Sequence, residues 1–277
     1  MVDGPGWESS DQAYLCLRDR RRTEALRRGI AKQVRPGDRV VELGAGTGVL
    51  SLFAAQSGAG HVLAVEGDPL LADTIERCAH ANGLSELIDV VHGDARELQT
   101  SESADVIICE LLDTGLIGES LIPVLNAAMG NGLISDSTRF VPSAYETYLQ
   151  ATSTSHEMYG LWMPVLRHEW GFYTGNDWLP VDEPGRGSAR KRVWGARFSA
   201  CPLEEHVLAR VPLAPGQNTL EITGRVELGD ATWHGGFLSM NGPKLVPLPD
   251  ELIGASTLVV EYTMGAGLSS LGFRSAQ

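Results

Sequence analysis

Glu110 and Glu119 stand nine positions apart at the two ends of one apolar loop, Cys109-Glu110-Leu111-Leu112-Asp113-Thr114-Gly115-Leu116-Ile117-Gly118-Glu119. The loop follows the strand-like run Ala104-Asp105-Val106-Ile107-Ile108. A carboxylate that leaves a buried strand for an apolar loop loses hydration and needs a cation to face. Two such groups suit a planar, multidentate cation. Guanidinium is flat, charged at every ordinary pH, and offers N–H forks that match carboxylate oxygens pairwise. The loop therefore reads as an arginine clamp; pairing of both glutamates with basic side chains of the chain itself is the alternative that spacing leaves open.

Three features upstream speak of a second ligand. Gly44-Ala45-Gly46-Thr47-Gly48 runs GxGxG, whereas a dinucleotide fingerprint needs GxGxxG with its third glycine opening a helix beneath a pyrophosphate; Val49 takes that place here. This spacing weakens an NAD reading. It suits close backbone approach to a ligand without phosphate, as in the glycine loop of S-adenosylmethionine-dependent methyltransferases, with a plain turn as the alternative. Glu66 ends a second strand-like run, where a carboxylate can accept both ribose hydroxyls or stand exposed. Asp94 can accept the amino group of an adenine ring or cap a helix.

The elements that must position these residues are legible from pattern. Arg39-Val40-Val41-Glu42-Leu43 reads as a buried strand, residues 49–55 as a helix, 61–66 as a strand, 70–81 as a helix stopped by Asn82-Gly83, 87–92 as a strand and 104–108 as a fourth. Ligands of open α/β sheets sit outside the carboxyl ends of the strands, so Gly46, Glu66, Asp94 and Glu110 should share one crevice. Residues 11–34 have helical spacing, with Arg18, Arg20, Arg21, Arg22, Arg27 and Arg28 between the apolar positions.

Composition narrows the function classes. A net charge of −13 over 277 residues disfavours nucleic acid and anionic membrane surfaces and favours a small cationic substrate. Cys16, Cys78, Cys109 and Cys201 are scattered, without metal-ligand spacing or a disulfide framework. The expectation is a soluble, cytoplasmic protein without a metal site, since no leader pattern or membrane-spanning apolar run is seen.

The run from Val40 to Ser51, the acid Glu66 and the two-glutamate loop together resemble the arginine N-methyltransferase family, the protein arginine methyltransferases. The loop wording Glu-Leu-Leu-Asp-Thr-Gly-Leu-Ile-Gly-Glu is most similar to the monomethylating type III branch. The resemblance spans roughly residues 11–150. It implies a class I S-adenosylmethionine-dependent methyltransferase: an α/β, Rossmann-like domain followed by a shortened antiparallel β-barrel domain. The implied organisation is a helical segment closing over the cofactor at 1–36, the Rossmann-like domain at 37–141 and the barrel-like substrate domain at 142–277. The cofactor is S-adenosyl-L-methionine, leaving as S-adenosyl-L-homocysteine. Its implied contacts are Arg22, at the position that meets the methionine carboxylate, with Gly44, Ala45, Gly46, Thr47, Glu66, Gly67, Asp94, Ala95 and Glu110. The implied catalytic pair is Glu110 and Glu119, which with Trp233 would bind substrate.

After residue 142 alternating stretches at 144–151, 205–211, 219–228, 237–240 and 257–262, separated by Gly and Pro, read as an antiparallel β domain. The family carries a helical dimerisation arm and a Thr-His-Trp loop in this half. Residues 167–197, with Trp170, Trp178 and Pro180, show no helical hairpin, and Ala231-Thr232-Trp233-His234 matches the loop only through Trp233, which a core position would explain equally well. The basic run 186–192 reads as a solvated loop or a lid. The missing arm and compact second half favour free L-arginine or a small guanidine as substrate, as in natural-product (antibiotic) branches of the family; peptide arginine and a homodimer stay open. A methyltransferase with another acceptor and a catalytically silent partner subunit are the competing readings.

Overall fold

The computed structural model describes residues 10–168, 185, 187–235 and 241–276. Two N-terminal helices, α1 (Ser10–Arg18) and α2 (Arg20–Gln33), precede a five-stranded parallel sheet. Its strands are β1 (Arg39–Leu43), β2 (His61–Glu66), β3 (Ile88–His92), β4 (Val106–Ile108) and β5 (Arg139–Val141), in the order β3-β2-β1-β4-β5. The central strand is a near-continuous apolar run because both of its faces are covered: Val40, Val41 and Leu43 are fully buried. The helices α3 (Val49–Gln56), α4 (Pro69–Ala81) and α5 (Leu121–Gly130) connect the strands. Asp68 caps α4 through the amides of Leu70 and Leu71, proline takes the first helical position, and the helix stops at Asn82-Gly83 as expected.

α2 sorts its arginines by helical period. Ala25, Leu26, Gly29 and Ile30 face inward; Arg20, Arg21, Arg27 and Arg28 face solvent, while Arg22, three and four positions before Ala25 and Leu26, falls on the buried side.

Beyond a cis Val141–Pro142 peptide the architecture becomes antiparallel. β6 (Ala144–Thr152) and β12 (Thr219–Glu227) pair along their whole length, from Thr219 opposite Thr152 to Glu227 opposite Ala144. A short hairpin, β7 (Glu157–Met158) and β8 (Leu161–Trp162), precedes β9 (Arg167–His168). β10 (Lys191–Arg197) flanks β6, while β13 (Trp233–Gly235) and β14 (Lys244–Pro247) lie against β12. β11 (His206–Pro212), β15 (Thr257–Thr263) and β16 (Gly272–Ser275) form a second antiparallel sheet, joined to the first where Lys191 Nζ donates to the Arg210 carbonyl at 3.1 Å. The fold is the expected one, a Rossmann-like α/β sheet followed by a barrel-like antiparallel half.

The expected strand at 237–240 lies outside the described residues, as do Trp170, Trp178, Pro180 and Arg186. The basic run differs from its expectation where it is described. Lys191 and Arg192 open β10, and Arg192 donates to Glu146 at 2.8 Å. Glu146, buried at mid-strand, also accepts from Arg225 and from Tyr148, and these hydrogen bonds outweigh its burial to hold its carboxyl down at about 2.

Candidate active site

The crevice is built at the carboxyl ends of β1, β2 and β4. Leaving β1, the amides of Gly44 and Ala45 donate to the Val65 carbonyl at 2.9 and 3.0 Å, which turns the glycine loop across the end of the sheet. Gly44 has φ +78°, and a Cβ there would lie 2.7 Å from Leu111 Cδ2, so glycine is what lets the loop rest on the residue beside Glu110. The amide of Gly46 donates to Glu66 Oε2 at 2.6 Å, and that of Asp68 to Glu66 Oε1 at 2.9 Å. α1 lies over this loop: a Cβ on Gly46 would sit 3.9 Å from that of Ala13. Gly46, Glu66 and the Glu110 loop are thus neighbours, as the rule for open sheets requires.

Asp94 performs the cap. Its carboxylate accepts the Arg96 amide at 2.9 Å, opening the short 3₁₀ turn Ala95–Glu97, and hydrogen bonds from the Arg96 guanidinium hold its carboxyl below the usual range. Gly67 and Gly93 bring the loops after β2 and β3 close: a Cβ on Gly67 would lie 4.0 Å from the Gly93 carbonyl.

Glu110 meets Arg22. The guanidinium Nη2 contacts Glu110 Oε2, with the two side chains 7% and 10% exposed. Asp19 caps α2 by accepting the Arg22 amide at 3.0 Å, fixing the turn from which Arg22 reaches across. Arg22 Nε and Glu110 Oε1 are buried with no hydrogen-bond partner in the protein. Of the two glutamates, then, one pairs with a basic side chain of the chain itself, and that pair still presents an unused donor and an unused acceptor.

Glu119 is buried at 7% exposure, and its amide donates to Asp113 Oδ1 at 3.2 Å. Burial and the neighbouring Asp113 carboxylate raise its pKa to about 8, against the pull of Arg22 and Lys244. One carboxylate of the pair is salt-bridged, and the other keeps its proton at neutral pH. Chemically, a cation brought beside Glu119 would let it ionise without leaving a bare buried charge.

The loop between them is bolted to the second half. Tyr145 Oη accepts from the Gly115 amide and donates to the Asp113 carbonyl, both at 3.1 Å. Tyr262 Oη donates to the Gly115 carbonyl at 2.9 Å, and Thr114 Oγ1 to the Gly242 carbonyl at 2.6 Å. The amides of Gly265 and Gly267 donate to the carbonyls of Leu116 and Ile117. Reading the sequence did not single out Tyr145, Tyr262 or Lys244. It also passed over Glu42, buried beneath the glycine loop, which accepts from Ser51 Oγ and is pushed by burial up to about 8.

Trp233 opens the short strand β13. It pairs with Glu227 across β12 and β13, and its ring lies 4.5 Å from the Arg225 guanidinium carbon. Arg225 points to the Glu146 side of the sheet; Tyr145, the next residue along β6, points to the opposite side, where the loop is held. Within the sheet, Trp233 thus shares the face of Arg225 and Glu146, opposite to that of Tyr145. Cys109 is raised by burial far above the thiolate range, so it is no nucleophile. Among the described residues there is no group of side chains arranged to hold a metal, and no helix long and apolar enough to cross a membrane.

Comparison with known proteins bears on this geometry. Residues 18–124 match the family model of the TRM5/TYW2 methyltransferase domain. The chain is 31% identical over 220 residues to the arginine N(omega)-methyltransferase of Streptomyces achromogenes subsp. streptozoticus, covering 77% of this chain and 60% of that one. It is 34% identical over 157 residues to protein arginine N-methyltransferase 7 of Oryza sativa subsp. indica, covering 52% of this chain and 22% of the relative. The chain thus spans less than two thirds of either relative. In structure it resembles Arabidopsis thaliana protein arginine methyltransferase 10, with a TM-score of 0.65 at 18% identity over 90% of this chain and 86% of that one. It also resembles the crystal structure of PRMT6-SAH, with a TM-score of 0.67 at 16% identity over 95% and 98%. At such identities these structures speak for the fold, and the sequence relatives speak for the lineage. The chain is thus similar in sequence to arginine N-methyltransferases and in fold to their solved structures.

Proposed function

We propose that the protein is an S-adenosyl-L-methionine-dependent guanidino N-methyltransferase that monomethylates free L-arginine. The observation that carries this reading is the pair of buried carboxylates at the two ends of one loop, Glu110 joined to Arg22 and Glu119 uncharged until a cation arrives.

The residues of the crevice fit the cofactor. Arg22 Nε is a buried donor without a partner, suited to the methionine carboxylate; the Glu66 carboxylate, which accepts from the Gly46 and Asp68 amides, would also take the ribose hydroxyls, Asp94 and Ala95 would meet the adenine, and Gly44, Ala45, Gly46, Thr47 and Gly67 would line the cofactor. S-adenosyl-L-homocysteine, named with the PRMT6 structure as SAH, supports the same assignment. When bound, the cofactor supplies a sulfonium methyl group as electrophile.

Glu110 and Glu119 would hold the guanidinium with one nitrogen turned toward the methyl donor, and such alignment can account for much of the acceleration. They draw positive charge onto the nitrogens they touch and leave the target nitrogen richer in electrons. Methyl transfer from the sulfonium, which would leave as the neutral thioether, would oblige that nitrogen to lose a proton. Glu119, whose burial makes it the more basic carboxylate, accepts it.

Free arginine is favoured by the compact second half read from the sequence; the net charge of −13 suits a cationic substrate of either kind, and 77% of the chain aligns with a relative named arginine N(omega)-methyltransferase. A monomethyl product follows the type III wording of the loop. The scattered free cysteines among the described residues suit a reducing cytoplasm. Incubation with S-adenosyl-L-methionine and either free L-arginine or an arginine-rich peptide, followed by mass spectrometry, tests the reading. Monomethylarginine from the free amino acid is expected, absent with Glu110→Gln; methylation confined to the peptide would make this a protein-modifying enzyme, and neither product would refute a guanidine substrate.

A further inference from the structure

Asp113 lies six positions before Glu119 in the same loop and holds its far end: Oδ1 accepts the Glu119 amide at 3.2 Å and Oδ2 the Gly118 amide at 3.1 Å. It is also a third carboxylate in a pocket where Arg22 already serves Glu110. Asp113 is 2% exposed. Its counter-ion comes from 131 positions away: Lys244 of β14, 5% exposed, contacts Asp113 Oδ2 and donates to the Thr114 carbonyl at 2.8 Å.

We propose that Lys244 is a positioning residue for Glu119: by neutralising Asp113 and pinning the loop to the second half, it sets whether Glu119 can carry the negative charge a guanidinium requires. The inference rests on the proposed function only in naming guanidinium as the cation.

The charged and titratable groups facing Glu119 come from every wall of the site. Arg22, itself paired with Glu110, approaches from α2, Cys109 from the end of β4, Asp113 from the loop, and Lys244 from β14. The Tyr145 and Tyr262 phenols face Asp113, and His168 of β9 faces Lys244 and bonds the Gly242 carbonyl at 3.0 Å. Burial raises both phenols and lowers the imidazole, so all three are neutral near pH 7. The charge seen by Glu119 is therefore set by two cations, Arg22 and Lys244, and one carboxylate, Asp113, and removing either member of the Lys244–Asp113 pair unbalances it in opposite senses. Without the lysine, Glu119 faces a bare aspartate; without the aspartate, it faces an unopposed ammonium.

Opposite signs separate this role from a merely structural one. Full-length protein labelled with carboxyl-¹³C glutamate is titrated by NMR, with the Glu119 resonance identified by its loss in Glu119→Gln. Lys244→Met is expected to raise the Glu119 midpoint by about one pH unit and Asp113→Asn to lower it by about as much, a tenfold change each way. The double variant should return it close to wild type. Should Lys244→Met not fold, Lys244→Gln is read in its place with the same expected direction. The acid limb of kcat/KM for arginine should move with the midpoint. Shifts of the same sign in the two single variants, or no shift in either, would overturn the proposal. If the wild-type protein methylates no guanidine, the functional reading fails, while the midpoints still decide the role of Lys244.

Discussion

Glu119→Gln is expected to lose about 10²- to 10³-fold in kcat/KM for arginine at pH 8 and, at that same pH, to melt at a higher temperature than wild type. The loss follows from leaving a buried guanidinium with one ionic partner in place of two. The gain follows from linkage. Glu119 titrates at about 8 in the fold and near 4.5 as a free side chain, so between those values the native state holds a proton that the unfolded state has released. This contribution to stability is whole below about pH 4.5 and is lost as pH rises through 8. Glutamine has no such ionisation, and the difference should reach roughly 5 °C in melting temperature for a protein of this size. Glu42, raised to about 8 by its own burial, adds a slope of the same sign, so the pH dependence of melting should flatten in Glu119→Gln without vanishing. A melting temperature that falls at pH 8 would contradict a proton-bearing Glu119.

Arg22→Met should cost the enzyme its cofactor. The substitution removes the donor assigned to the methionine carboxylate and leaves Glu110 buried without a counter-ion, a loss of the kind that costs about 10²-fold or more in binding. Calorimetry with S-adenosyl-L-homocysteine should read that loss. Arg21→Met, one position away and exposed, should leave binding unchanged within about twofold. Equal effects at Arg21 and Arg22 would mean that general positive charge on α2, and no specific contact, draws the cofactor.

The distribution of such residues explains what reading the sequence can find. The strand, glycine loop and helix from Arg39 to Gln56 announce themselves because each is specified by its own neighbours: apolar continuity, glycine spacing, then helical period. The glutamate pair is legible for the same reason, since both members sit in one short loop. Family resemblance picks out Arg22, and a local signal agrees: it precedes Ala25, Leu26 and Gly29 by three, four and seven positions, on the buried stripe of α2. Lys244 offers no such signal. It stands in a short apolar strand, and the aspartate that accounts for it is 131 positions away, so only the tertiary fold pairs them. Tyr145 and Tyr262 likewise look like ordinary strand aromatics until the loop lies across them. Trp233 shows the converse: its wording suggests a pocket wall, but register with Glu227 decides its face, and register is a property of the sheet rather than of the segment.

The account turns on one physical claim, that a guanidinium binds between Glu110 and Glu119 and takes the place of a proton on Glu119. Calorimetry of L-arginine binding at pH 7 with S-adenosyl-L-homocysteine present, repeated in buffers of different ionisation enthalpy, measures that exchange directly. Release approaching one proton per arginine bound is expected, because a group titrating at about 8 is mostly protonated at that pH, and the release should disappear in Glu119→Gln. Binding with no proton released, or release that persists in Glu119→Gln, would contradict the clamp.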